Sequence, residues 1–94
     1  FLIQIYFGGQ LSNPELLNLM QKKLKEIEER LVIYEAVNQM VQTTPSKIAD
    51  KRAVFLSVLT LEAGYINAQS IAAWLRSAIE RIENKNYTIN MGNS

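Results

Sequence analysis

Neither cysteine nor histidine occurs in the 94-residue sequence. The first absence excludes disulfides and thiolate metal sites. The second removes the usual general base, the commonest metal ligand and the side chain that titrates nearest neutral pH. An excess of one charge is missing too: ten basic against nine acidic side chains leave a net charge of +1, far from the balance of a nucleic-acid-binding module. No apolar run approaches the roughly eighteen residues of a membrane span. Catalysis would have to rest on paired carboxylates or an activated lysine. Glu26, Glu28 and Glu29 cluster only as a solvated stretch, and Asp50 stands alone near a helix start. Gly8-Gly9 has neither the length nor the lysine of a phosphate-binding loop. The expectation is a protein that is not an enzyme, with no cofactor and no catalytic or metal-binding residue.

What is present is a long apolar series. Leu17, Met20, Leu24, Ile27, Leu31 and Tyr34 alternate at a and d positions, followed by Asn38 at a and Val41 at d, and they keep register for about three and a half heptads. This spacing is the seam of a long helix that lies against another helix. Ser12 and Glu15 have capping-box spacing, and Pro14 fits the first turn, where its missing N–H is no loss. A helix from about Pro14 to Gln42 would run roughly 40–45 Å, whereas a compact domain of this length measures roughly 30–35 Å across. Part of the seam is therefore expected to find its cover in a second copy of the chain. The sequence leaves open whether the seam pairs across subunits or folds back on its own chain.

Around the seam the helix has three zones. Leu16, Leu17, Leu19 and Met20 form a broad patch; from Gln21 to Arg30 only Leu24 and Ile27 are apolar; from Leu31 to Val41 nearly every residue is. The last zone needs cover on more than one side. In the middle zone Lys22–Glu26, Lys25–Glu29 and Glu26–Arg30 are i,i+4 pairs, each worth a few tenths of a kcal/mol. Glu28 and Glu35 fall at e, and Lys23 and Arg30 at g, where charge influences the choice of partner helix. Asn38 is read as exposed or bonded to nearby backbone.

The remaining segments read as helices as well. Phe1, Ile3, Ile5 and Phe7 alternate like a strand, but the chain offers no obvious second strand, so FLIQIYF is read as a helical end stopped at Gly8-Gly9 by a left-handed cap. Thr44-Pro45-Ser46 opens a second helix, which runs to about Ala63 with Ile48, Arg52, Phe55, Leu59 and Ala63 at helical spacing. Its centre, AVFLSVLTL, is apolar almost all round and is expected to be the buried middle of the fold. Gly64 ends it, Asn67 caps a third helix, and Ala68, Ile71, Ala72, Leu75, Ala78, Ile79 and Ile82 form an amphipathic stripe. The expected fold is all-α: three main helices after a short N-terminal helical segment, dimerising. Residues 1–85 make the helical domain and 86–94 a frayed tail. The apolar opening at Phe1 leads us to expect a domain cut from a longer protein.

Two stretches carry a family resemblance. YFGGQLSNPELLNLMQKKLKEIEERLVIYE (Tyr6 to Glu35) and LTLEAGYINAQSIAAWLRSAIERIE (Leu59 to Glu83) resemble the C-terminal, virulence activator alpha type domain of PadR-like transcriptional regulators. The matching features are Phe7-Gly8-Gly9 before a helix start, Tyr34-Glu35 near a long helix end, Leu61-Glu62-Ala63-Gly64, and Trp74-Leu75 on the last helix. Each is common helical grammar; their order and spacing are what resemble the family.

The resemblance implies a cytoplasmic bacterial regulator. In it this domain joins two subunits as a homodimer, and an N-terminal winged helix, outside this chain, reads DNA. DNA would be contacted only through that missing domain, and no membrane is involved. Leu17, Met20, Leu24, Ile27, Leu31 and Tyr34 are the expected dimer interface. Since some relatives bind aromatic effectors at the domain junction, Trp74, Tyr65, Tyr34 and Tyr6 are candidate contacts for a small aromatic effector, although core or interface packing is the favoured reading of Trp74. The other reading is a stand-alone helical adaptor that grips a partner's amphipathic helix.

Overall fold

The computed structural model describes residues 1–43 and 51–88. The chain opens with a short helix α1 (Leu2–Tyr6) and a 3-10 turn at Gly8–Gln10. Two long helices follow, α2 (Asn13–Thr43, 31 residues) and α3 (Lys51–Glu83, 33 residues). They lie antiparallel: Tyr65 bonds to Glu35, Arg76 to Glu28 and Asn13 to Tyr87. The expected helix start at Thr44-Pro45-Ser46 lies outside the described residues.

α2 begins as its sequence predicts. The Glu15 N–H donates to Ser12 Oγ at 3.3 Å, and the Ser12 N–H donates to Glu15 Oε1 at 3.1 Å, so two of the donors orphaned at a helix start are satisfied reciprocally. The Ser12 N–H bond, and after it a bond from the Ser12 hydroxyl to Glu15 Oε1 at 2.9 Å, hold the Glu15 carboxyl below its usual range. The entry into α2 differs from expectation. α1 ends through Phe7 at φ −94°, and neither Gly8 nor Gly9 has a positive φ, so no left-handed cap forms. Gly8 is instead buried, and a Cβ there would stand 3.0 Å from Leu16 Cδ2. Its role is close approach rather than backbone freedom.

The break expected at Gly64 and Asn67 does not exist: α3 runs unbroken from Lys51 to Glu83, and Leu61-Glu62-Ala63-Gly64 ends no helix. Glycine inside a helix costs about 1 kcal/mol, too little to interrupt one whose apolar face continues on both sides. Val54, Val58, Leu61, Tyr65, Ala68, Ala72, Leu75, Ile79 and Ile82 hold 4-3 spacing straight through it, and all are buried or half-buried. The AVFLSVLTL segment is therefore not the buried middle. Its Val54 and Val58 turn inward, while Phe55, Leu56 and Leu59 are exposed.

Two helices of this length side by side make an elongated body of 55 × 28 × 21 Å with a radius of gyration of 18.0 Å, not the compact domain of the initial expectation. Its core lies in one half. Met20 and Ile27 from α2 meet Ala68, Ala72, Leu75, Ala78 and Ile79 from α3, with Phe1 and Ile5 of α1 packed against them. The alanines let the helices approach closely where α2 supplies the larger side chains. Nearer the connection, over residues 28–41 and 51–67, no described side chain is buried.

α3 ends in a Schellman arrangement. Asn86 N–H bonds to the Arg81 carbonyl at 2.8 Å and Lys85 N–H to the Ile82 carbonyl at 3.1 Å, with Lys85 at φ 53°. Of the tail expected over 86–94, Tyr87 accepts a bond from Asn13 Nδ2 and Thr88 one from Arg81; residues 89–94 lie outside the described residues.

Candidate functional site

The seam of α2 is occupied by its own chain. Ile27 is 2% exposed and Met20 3%, both against α3, so they have almost no surface left for another partner. Leu17, Leu24, Leu31 and Tyr34 are half-buried and pack around the same cluster. Asn38, at the next a position, is exposed. The flanking charges follow this pairing. Glu28, at e, accepts a bond from Arg76 Nη2 of α3 at 3.2 Å, and Lys23 pairs with Glu26 at 3.6 Å. None of the three expected i,i+4 pairs forms among the described residues. Exposed pairs of this kind contribute little to stability; Glu28–Arg76 reports register instead.

The four aromatic candidates separate into different places. Tyr34 and Tyr65 meet in an open groove of about 540 Å³ between α2 and α3, with Glu35, Asn38, Gln39, Val58, Leu61 and Glu62. Tyr65 Oη donates to Glu35 Oε1 at 3.0 Å. That bond, with some desolvation and the Glu35 charge, raises the Tyr65 pKa above its ordinary value, partly offset by a bond from Gln69. Tyr34 lies over Gly64, where a Cβ would come within 2.8 Å of its hydroxyl oxygen. The groove is thus apolar on its floor and acidic at its rim.

Trp74 lines a second, more apolar cleft of about 640 Å³ with Phe1, Leu2, Ile3, Lys23, Ser70 and Ile71. The Phe1 ring meets Trp74 edge to face at 6.5 Å between centroids, and Lys23 Nζ stands 5.8 Å from the Phe1 ring centre. Helix α1 is held on the long helices by these contacts. Ile71, which the stripe reading put in the core, is exposed at this cleft. Tyr6 lines neither cavity; it is exposed and packs its ring on Phe7.

Among the described residues, exposed apolar side chains line the outer faces of the two long helices. On α2, Val32, Ile33, Ala36 and Met40 face away from α3; on α3, Phe55, Leu56, Leu59 and Ile66 face away from α2. All are exposed, Phe55 at 59% and Met40 at 65%. Sequence periodicity did register Phe55 and Leu59, but as core; the signal that separates the faces is the second 4-3 series through Tyr65. Among the described residues no helix is long and apolar enough to cross a membrane, and no group of acidic side chains could hold a metal ion.

A family model described as virulence activator alpha C-term matches residues 1–83. No curated protein and no solved structure matches the chain.

Proposed function

We propose, for a chain that belongs to the virulence activator alpha C-terminal family, the role of dimerisation domain in a PadR-like bacterial transcriptional regulator. In this reading two copies associate through their long helices and hold two winged-helix heads, encoded ahead of Phe1, at a separation suited to DNA. The protein works in the cytoplasm, contacts DNA only through those heads and catalyses no reaction. The observation that carries the reading is the exposed apolar surface on both outer helix faces, Val32, Ile33 and Met40 on α2 with Phe55, Leu56, Leu59 and Ile66 on α3. Several large apolar side chains exposed on one helix face mark an interaction site. The intrachain seam meanwhile holds the two long helices side by side in an elongated body 55 Å long, a shape suited to a spacer between two heads.

Sedimentation velocity at micromolar concentration tests it. The expected species has twice the chain mass; a stable monomer would overturn the dimer and favour the adaptor reading, in which the same faces receive a partner's helix. The reading frame upstream of Phe1 is expected to encode a winged helix. A second role, sensing of a small aromatic effector, is favoured by one feature: Tyr34 and Tyr65 line a single groove. Titration of aromatic compounds against tyrosine and Trp74 fluorescence tests that role, and an unchanged signal would remove it.

A further inference from the structure

The groove between Tyr34 and Tyr65 carries charge of one sign. Tyr34, Val58, Leu61 and Tyr65 give it aromatic and apolar walls, and its charged lining residues are Glu35 and Glu62. No lysine or arginine lines it, and neither carboxylate is in an ion pair with a described cation. Both are exposed, one on each long helix. Glu35 receives the Tyr65 hydroxyl on Oε1 at 3.0 Å, which sets the carboxylate beside that phenol and leaves Oε2 open to another donor. The Tyr34 ring is held close against Gly64, so it does not need to be ordered when a ligand arrives. The groove is also set apart from α1. Tyr34 lies about 16 Å further along α2 than Lys23, which lines the Trp74 cleft.

We propose that this groove binds a small organic cation, a protonated amine carried on an apolar or aromatic body. This rests on the effector reading above and names the ligand's chemical class. Tyrosine ring faces are negative and attract an ammonium group, most strongly where water is excluded. The two carboxylates add charge attraction and accept its N–H groups, and the Asn38 side-chain carbonyl offers a neutral acceptor beside them. A volume of about 540 Å³ is ample for a single-ring amine. The same lining rejects the alternatives. An aromatic carboxylate or a phenolate would meet two like charges with no lysine or arginine to offset them. A hard metal ion takes six or more oxygen ligands, and no group of three or more acidic side chains stands together among the described residues.

Three probes of one shape test it: 2-phenylethylamine, 2-phenylethanol and 3-phenylpropionate, respectively cationic, neutral and anionic at pH 7. Tyrosine ring shifts in NMR spectra read the site, because Tyr34 and Tyr65 line the groove while Tyr6 and Tyr87 do not. Phenylethylamine is expected to shift Tyr34 and Tyr65 and to bind about 10-fold more tightly than phenylethanol. Phenylpropionate is expected to bind most weakly. The double variant Glu35→Gln/Glu62→Gln removes both charges at nearly constant shape. It is expected to bring phenylethylamine down to the affinity of phenylethanol, with helix content retained. Glu62→Gln alone, which spares the Tyr65 bond, is expected to cost about threefold. Equal affinity for amine and alcohol, or tighter binding of the carboxylate, overturns the cation and leaves an aromatic effector site standing. An amine affinity unchanged in the double variant does the same. Shifts at Trp74 with Tyr34 and Tyr65 unmoved place the ligand in the other cleft and overturn the groove. No shift with any of the three probes removes both the cation and the effector reading.

Discussion

The Tyr34 ring occupies the space a side chain would need at Gly64: a Cβ there would lie 2.8 Å from the Tyr34 hydroxyl oxygen and 3.0 Å from Cζ. Gly64 therefore serves the helix pairing, not a helix end. Gly64→Ala should gain helix propensity of about 1 kcal/mol and lose more to the clash with a ring wedged between the helices. In the wild-type background the melting temperature is expected to fall. In a Tyr34→Leu background the same change is expected to raise it. A double-mutant cycle by thermal denaturation reads the sign reversal directly, and equal effects in both backgrounds would contradict the wedge.

The two apolar stripes predict opposite mutational behaviour. Ile27 is buried between the long helices, so Ile27→Ala should cost roughly 2–4 kcal/mol of folding stability. Ile66 is 52% exposed on the outer face, so Ile66→Ala should leave the hairpin's own packing nearly unchanged. Because association adds stability by mass action, the comparison belongs at a dilution where the protein is monomeric. Urea denaturation there is expected to shift its midpoint strongly for the first variant and little for the second.

Ser12, Pro14 and Glu15 announced the start of α2 because a capping box is local, closed within four residues. The seam was legible for the same reason: helical periodicity is written on one element. What failed were decisions between elements. Two apolar stripes share α3, and their spacing alone does not say which one meets α2; Phe55 and Leu59 were read as core although Val54, Val58 and Leu61 are the inward set. Gly64 and Asn67 looked like punctuation because the contact that makes glycine necessary comes from Tyr34, 30 positions earlier. The groove itself was half visible. Tyr34 and Tyr65 were both candidates, but Glu35 joins them only once the antiparallel register brings α2 and α3 together.

Glu35 sets the titration of Tyr65. Its carboxylate accepts a hydrogen bond from the protonated phenol and so raises the Tyr65 pKa. A group whose folded pKa lies above its unfolded value stabilises below the unfolded value and loses that contribution as pH rises through the folded one. The Tyr65 contribution is thus intact at neutral pH and lost in the alkaline range beyond pH 10. Absorbance titration near 295 nm, taken as the difference between wild type and Tyr65→Phe, isolates this phenol. Glu35→Gln is expected to move it back toward the ordinary value; no movement would show that the bond is absent in solution.

At the other end of the pH scale the capping box is the sensitive element. The Glu15 pKa is lowered chiefly by its bond from the Ser12 backbone N–H, then by the Ser12 hydroxyl. A depressed carboxylate stabilises above its unfolded value, ordinarily 4.5, and the contribution disappears as pH falls through the folded value. Melting curves between pH 7 and pH 3 should show this loss. Glu15→Gln should remove that part of the acid sensitivity, and Ser12→Ala should lower the melting temperature by a few degrees at pH 7. If both variants follow the wild-type acid profile, the box does not govern it.

Lys85 is the described non-glycine residue with a positive φ, 53°, at the C′ position that closes α3. The left-handed region crowds a Cβ against the following carbonyl and costs roughly 1–2 kcal/mol for most side chains. Glycine adopts it freely but loses more chain entropy on folding, so part of the gain is offset. Lys85→Gly is therefore expected to stabilise by about 0.5–1 kcal/mol, while Lys85→Val should destabilise, since a β-branched side chain tolerates the conformation worst. Both substitutions remove the same charge, so the difference between them reports backbone conformation alone. Thermal denaturation of the pair decides it: if valine is as stable as glycine, the Asn86 and Lys85 bonds to Arg81 and Ile82 do not persist in solution.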